Sequence, residues 1–246
     1  MIKEQDKPDT PKSSVFSSVR DIEMPRIELP SAYRFNERIK SEGLVFLRGL
    51  PECISPVAFL DPQYRGVLDH LSYGNEEKHP GFRGGKRASL MQMTDSVIAD
   101  FVKGIERILV PSGHLFLWMD KYHLCTGFLD WLTGTSLEVV DLVTWHKGRM
   151  GMGYRTRRVS EYLVILQKKP RRAKGVWTIH NIPDVWKEKV VKSHGVHPKP
   201  IGLQGKLIEA VSNKGDIVID PSAGSFSVLE ACRIKERNFL GCDING

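Results

Sequence analysis

Apolar residues in this chain fall in short continuous blocks, separated by segments with helical spacing. Val57-Ala58-Phe59-Leu60 is one such block, and it stops abruptly at Asp61-Pro62. That pattern predicts a buried strand entering a tight loop. Further on, Val97, Ile98, Phe101, Ile105, Ile108 and Leu109 share one face of a helix over 95–109. Pro111-Ser112-Gly113 reads as a turn into a strand over 114–118, followed by a helix over 125–133 and a strand over 138–145. A strand over 162–167 returns antiparallel to the last. The final block predicts a helix over 206–211, a buried strand 216–220, a helix 227–232 and a strand 238–243. Weaker patterns suggest a short helix over 34–40, a strand over 44–47 and a helix or turn over 185–192. Alternating helix and strand argues for a mostly parallel sheet in an α/β fold.

Residues 1–30 are polar, dotted with Pro and Ser and without periodicity, and are expected to form a loose arm. Residues 31–246 then make one domain, a size that allows a full core. Within it, 65–93 is Gly-rich and charged, with no buried face, and is expected to be a mobile loop. No apolar run approaches the ~20 residues of a membrane span, and the N-terminus is too polar for a secretory signal. Cys53, Cys125, Cys232 and Cys242 are dispersed without a CxxC pair. This suggests a reducing cytoplasm and no zinc site. His194 and His197 form no metal signature, so no metal is expected.

The net charge of +7 is unevenly placed: residues 147–192 hold 13 Lys or Arg against Glu161, Asp184 and Glu188. Such a segment is either the footprint of a phosphate-backbone partner or a solvated face. The candidate phosphate contacts are Lys147, Arg149, Arg155, Arg157 and Arg158 around a Gly-hinged loop, Arg171 and Arg172 beyond it, and Arg83, Lys86 and Arg87 in the 65–93 loop.

Two motifs carry candidate chemistry. In Asp61-Pro62-Gln63-Tyr64 a carboxylate, backbone carbonyls and a phenol could line a pocket at the carboxyl end of a strand, where open α/β sheets bind ligands. Those groups suit the exocyclic amine of a nucleobase. Acceptors for its N–H bonds localise the nitrogen lone pair, and an aromatic ring stacks on the base. A plain strand-to-turn corner would look the same. The second motif, Asp220-Pro-Ser222-Ala223-Gly224-Ser225-Phe226, joins a strand to a helix and lets backbone N–H groups approach a ligand. Asp243, 19 residues after Gly224, ends the next strand, as an acid that holds a ribose diol does. An ordinary βα corner remains the alternative.

Together, Asp61-Pro-Gln-Tyr64, the Trp145-x-Lys147 strand and basic hairpin, His197-Pro-Lys199-Pro200 and the Asp216–Phe226 block resemble the DNA amino-methyltransferases. The order, with the catalytic motif before the cofactor motif, resembles their β class and covers about residues 40–246. The resemblance implies a doubly wound, Rossmann-like sheet of seven strands, mostly parallel with one antiparallel. It also implies S-adenosylmethionine as cofactor and DNA, double- or single-stranded, as partner, and it is compatible with a homodimer. Asp61, Pro62, Gln63 and Tyr64 would engage a flipped base. Asp220, Ser222, Ala223, Gly224, Ser225 and Phe226, with His197, Lys199 and Pro200, would hold the cofactor, and Asp243 its ribose. An initial Asp resembles the adenine-N6 enzymes, whereas cytosine-N4 enzymes commonly begin with Ser. RNA adenine, cytosine N4 or a silent nucleic-acid-binding module remain alternatives. The chain departs from the family pattern at Gln63, usually Pro, and at Phe226, usually Gly. A strand beyond Asp243 would have to come from elsewhere in the chain. The 27 residues of 170–196, where relatives read their target, suggest low sequence specificity, as in relaxed phage and prophage adenine methyltransferases.

Overall fold

The computed structural model describes residues 18–22, 24–25, 28–63, 93–151, 155–190 and 198–246. Tyr64, Arg83, Lys86, Arg87 and His197 lie outside the described residues. Among the described residues eight strands are present: β1 Ile39–Lys40, β2 Ser55–Leu60, β3 Leu109–Met119, β4 Leu137–His146, β5 Ser160–Lys168, β6 Val185–Lys187, β7 Ile217–Asp220 and β8 Asn238–Asp243. The helices are α1 Gly43–Gly49, α2 Asp95–Ile108, α3 Lys121–Thr126, α4 Ile201–Val211 and α5 Ser227–Lys235, with a 3₁₀ turn over Leu129–Leu132.

The strands form one sheet in the order β1-β8-β7-β2-β3-β5-β4-β6. Only β5 runs antiparallel to its neighbours, as expected. The eight strands, rather than seven, include the two-residue β1 and the three-residue β6.

Side chains alternate across β2. Ala58 and Leu60 join a core beneath α1 and α2, with Phe46, Leu47, Ile98, Val102 and Ile105. Val57 and Phe59 join the opposite core beneath α4 and α5, with Leu203, Leu207, Leu229 and Ala231. All six β2 residues are buried. Helices on both faces make the fold doubly wound. From β2 the chain moves through α2 to β3 on one side, while from β7 it moves through α5 to β8 on the other. The strand order therefore reverses between β2 and β7, and a crevice opens there at the carboxyl edge.

Several local expectations are corrected. Residues 44–47 belong to α1, because Glu42 caps a helix: its carboxylate accepts from Leu44 N and Val45 N, both at 2.9 Å. A four-residue apolar run cannot by itself distinguish strand from buried helix. Residues 34–40 are turns leading into β1, not a helix. Pro111-Ser112-Gly113 is an irregular stretch of β3 rather than a turn before it; Ser112 takes φ 64° and the β2–β3 register shifts nearby. The helix over 125–133 is instead α3 and the 3₁₀ turn, parted at Gly127 (φ 112°). Residues 185–187 are the edge strand β6.

The N-terminal arm is tied down where it is described. The Arg20 guanidinium donates to Val176 O, Thr178 Oγ1 and Ala210 O at 3.2, 2.9 and 2.6 Å. Among the described residues, no helix is long and apolar enough to cross a membrane.

His114 of β3 is 3% exposed, stacked on Phe116 and edge-on to Trp177. Burial first, and then the charge of Arg20, push its pKa down to about 3. The folded value lies below the ordinary 6.5, so stability is complete above pH 6.5 and drains away as pH falls towards 3. Between pH 7 and 5 the wild type should lose about 2 kcal/mol more than His114→Phe. Urea unfolding of both proteins at the two pH values checks this. Equal losses would remove His114 as the cause.

Candidate functional site

Three adjacent strands, β8, β7 and β2, each deliver an acid to the carboxyl edge. The register sets Ala58 opposite Ile219, and Asp220 opposite Gly241. Asp61 thus follows β2 one strand away from Asp220, and Asp243 ends β8 on the other side. Strands spaced 4.7–4.9 Å apart hold all three acids within roughly 10 Å.

The turn after β7 has the features of a cradle. Ser222 N donates to Asp220 Oδ1 at 3.1 Å, Gly224 N to Asp243 Oδ2 at 3.2 Å, and Ala223 N to Cys242 O at 2.9 Å. Gly224 has φ 51°, and a Cβ there would meet no protein atom within 4 Å, so its open side faces free space. Ser222 Oγ is buried without a hydrogen-bond partner among the described residues. The Asp220 carboxyl is pushed well above its ordinary value, by burial and by Asp61 and Asp243, with the Ser222 hydrogen bond opposing.

Phe226 also takes a left-handed conformation, φ 58°. Its ring turns inward, packing against Phe239 at 6.1 Å, while Arg38 lies over it at 5.0 Å. The ring is therefore part of the core, not an aromatic wall of the cradle. Beside β8 the sheet ends in β1, which pairs Ile39 with Cys242 and Lys40 with Asp243.

Around Asp61 lies a charged network that joins it to Lys199, Glu161 and Lys147. Lys199 Nζ sits 3.0 Å from Asp61 Oδ2 and 2.9 Å from Glu161 Oε2, while Lys147 Nζ is 3.0 Å from Glu161 Oε1. The Lys199 ammonium also lies 4.8 Å from the centroid of the Trp118 ring. Burial raises the Asp61 carboxyl; Lys199 opposes this and Glu161 adds to it. Burial would raise Glu161 too, but Lys199 and Lys147 bring it down to about 2. Burial works against the charge of Lys199, yet Asp61 and Glu161 hold it above the ordinary lysine range. Motif spacing could not reveal Glu161; its one signal was being an acid among 13 basic residues.

The basic residues divide between two edges. β4 and β5 pair His146 with Ser160, so the hairpin tip carrying Arg149, Arg155, Arg157 and Arg158 projects from the carboxyl edge beside Asp61. Lys121 Nζ donates to Thr156 Oγ1 at 2.9 Å and fastens that tip to α3. Lys147 is committed to Glu161. Arg171 and Arg172 follow the far end of β5. Arg171 pairs with Glu138 at 3.8 Å and Arg172 with Asp21 at 3.0 Å, while Arg172 also donates to Ser112 Oγ at 3.3 Å. Ser112 lies six residues back along β3 from Trp118, roughly 20 Å from the carboxyl edge. Lys147, Arg171 and Arg172 thus each have an acidic partner within the fold. Pro200 is buried as the N-cap of α4. Among the described residues, no group of three or more His, Cys, Asp or Glu could hold a metal.

Residues 58–246 match the model of a family described as DNA methylase. The chain belongs to the DNA methylase family. It is 52% identical over 210 residues to the Type II methyltransferase M.HhaII of Haemophilus parahaemolyticus, covering 85% of this chain and 91% of that one. Among solved structures, the M1.HpyAVI–SAM complex superposes with a TM-score of 0.58 at 18% identity, over 84% of this chain and 92% of that one. The cytosine-N4-specific PvuII DNA methyltransferase superposes with a TM-score of 0.60 at 12% identity, over 87% and 83%. At such identities these two likenesses speak for the fold alone.

Proposed function

We propose that this enzyme transfers a methyl group from S-adenosylmethionine to the N6 amine of adenine in DNA, within a defined target sequence. The supporting observation is the meeting of Asp61 and the Ser222–Ser225 cradle at the crevice where the strand order reverses. Adenine is favoured over cytosine by the Asp that opens the 61–64 motif. The cradle suits the cofactor: Asp220, the backbone of Ser222–Ser225 and the unpartnered Ser222 hydroxyl would hold its methionine end, and Asp243 its ribose. When bound, S-adenosylmethionine supplies a methyl group already activated on sulfur, so no metal or covalent nucleophile is called for.

The protein's part is to position the amine. A duplex buries this group, so the adenine must first be flipped out, at a few kcal/mol. Asp61 and a backbone carbonyl of the 61–64 turn accept its two N–H bonds, which draws the nitrogen away from planarity and localises its lone pair. Held in line, the nitrogen needs little further help. Once alkylated it loses a proton readily, and Asp61, already hydrogen-bonded to it, is the adjacent acceptor. Tyr64 is proposed to stack on the base. We place the enzyme in the cytoplasm, with the DNA it modifies.

The relaxed specificity expected from the short 170–196 interval is not retained. Much of that interval belongs to the fold, through Arg172, Trp177 and β6, so its length is no measure of base reading. The 52%-identical relative also bears a Type II name. Mapping modified adenines in a plasmid from a methylation-deficient host that expresses the enzyme tests this reading. One short recurring sequence is expected; adenines scattered over unrelated contexts would restore the relaxed reading, and unmodified adenine would end the proposal.

DNA contact is assigned to the hairpin tip. Replacing Arg157 and Arg158 with Ala should weaken binding on all sequences and flatten its salt dependence, by about two units of slope at most. Replacing Arg171 and Arg172 should leave binding unchanged. Fluorescence anisotropy over a salt series measures both, and equal losses would remove the distinction between the two edges.

A further inference from the structure

Lys199 belongs to the stretch that resembles a cofactor-binding motif, but its ammonium group is already spent. Its Nζ lies against the Asp61 carboxylate, the Glu161 carboxylate and the Trp118 ring, and the side chain is only 14% exposed. Lys147 closes the array on the far side of Glu161, through the other carboxylate oxygen. Four charged groups therefore alternate in sign, Lys147, Glu161, Lys199, Asp61, and end on the residue that meets the base. Lys199 meets Asp61 at Oδ2, 3.0 Å away.

We propose that Lys199 is a positioning residue for the target base rather than a cofactor ligand: held by Glu161, it orients Asp61, keeps it ionised and leaves Oδ1 to accept the amine. This rests on the adenine-methylation reading above. A neutral carboxyl would offer the amine a weaker acceptor, and a freely turning carboxylate would lose its alignment. Glu161 prevents Lys199 from collapsing wholly onto Asp61, and Lys147 keeps Glu161 charged. Among the described residues, the charged groups around Asp61 are Lys199 before α4, Glu161 on β5 with Lys147 behind it, and Asp220 on β7. Burial and Glu161 favour protonation of Asp61, and Lys199 is the cation that opposes them.

The test is the titration of Asp61, followed by carboxyl ¹³C NMR on the free protein and by the acid limb of the kcat–pH profile. Lys199→Gln should move both upward by about one pH unit or more. Glu161→Gln should move both downward, because it removes a negative neighbour and leaves the lysine. Lys199→Arg should restore the wild-type limb. Midpoints that stay put, or shift in the same direction in the two Gln variants, would overturn the proposal. So would a Lys199→Gln enzyme whose one defect is weaker S-adenosylmethionine binding in calorimetry. Should Lys199→Gln fail to fold, Glu161→Gln and Lys199→Arg decide by the same signs. The NMR titration needs neither DNA nor cofactor, so it judges Lys199 even where the adenine reading fails.

Discussion

Asp61→Ala is expected to abolish methyl transfer, with kcat falling by at least about 10³-fold, the scale of losing a preorganised polar contact in the transition state. The carboxylate acts on the base, so S-adenosylmethionine binding should stay within a few-fold of wild type. The variant also leaves Lys199 with Glu161 as its one acidic partner, a pair that can persist without Asp61. Asp61→Asn separates geometry from charge. It keeps an oxygen acceptor and the side-chain shape but gives up the ion pair to Lys199, and its activity should remain below about 1% of wild type. Single-turnover methylation with saturating DNA and cofactor, alongside calorimetry of the cofactor, measures both effects. Near-normal turnover in either variant would remove the base-facing role of Asp61.

Gly224→Val carries the second large effect, on the cofactor. Gly224 sits at φ 51° with open space on the side where a Cβ would project. A β-branched residue costs roughly 1–2 kcal/mol in that conformation, and its methyl groups would fill the cradle. We expect at least about a hundredfold loss of S-adenosylmethionine affinity, close to 3 kcal/mol. Gly224→Ala shares most of the backbone strain but fills less of the space. If both variants unfold at similar urea concentrations while Val binds far more weakly, the loss lies in the cradle. Undisturbed calorimetric binding to Gly224→Val would make the turn a structural corner only.

What could be read beforehand followed the range of the forces involved. β2 and its Asp-Pro stop were legible because a wholly buried strand needs a continuous apolar run and Pro62 ends it sharply. The β7 turn and Asp243 were legible because strand, small-residue turn, helix and strand follow one another locally, and the resemblance covered the same residues. α1 was misread because four apolar residues fit a helix or a strand equally, and the Glu42 cap decides only once its carboxylate is seen on Leu44 N and Val45 N. β1 was missed because two residues carry no period; its pairing with β8 is a tertiary event across some 200 residues of chain.

The site was half legible for a related reason. Motif spacing joined Asp61 to the cofactor turn, but the Glu161–Lys199 pair, 38 residues apart, has no local pattern. Charge counting found the basic segment without showing which edge of the sheet each residue occupies. Arg157 and Arg172 look alike in composition, yet an antiparallel strand carries them to opposite ends of the molecule.

The most direct test of the whole account is nucleoside analysis after reaction of the purified enzyme with ¹⁴C-methyl S-adenosylmethionine and unmethylated duplex DNA. The label should appear in N6-methyldeoxyadenosine and be absent from the Asp61→Ala reaction. Label in N4-methyldeoxycytidine, or no label in DNA from a folded, cofactor-binding enzyme, would contradict it.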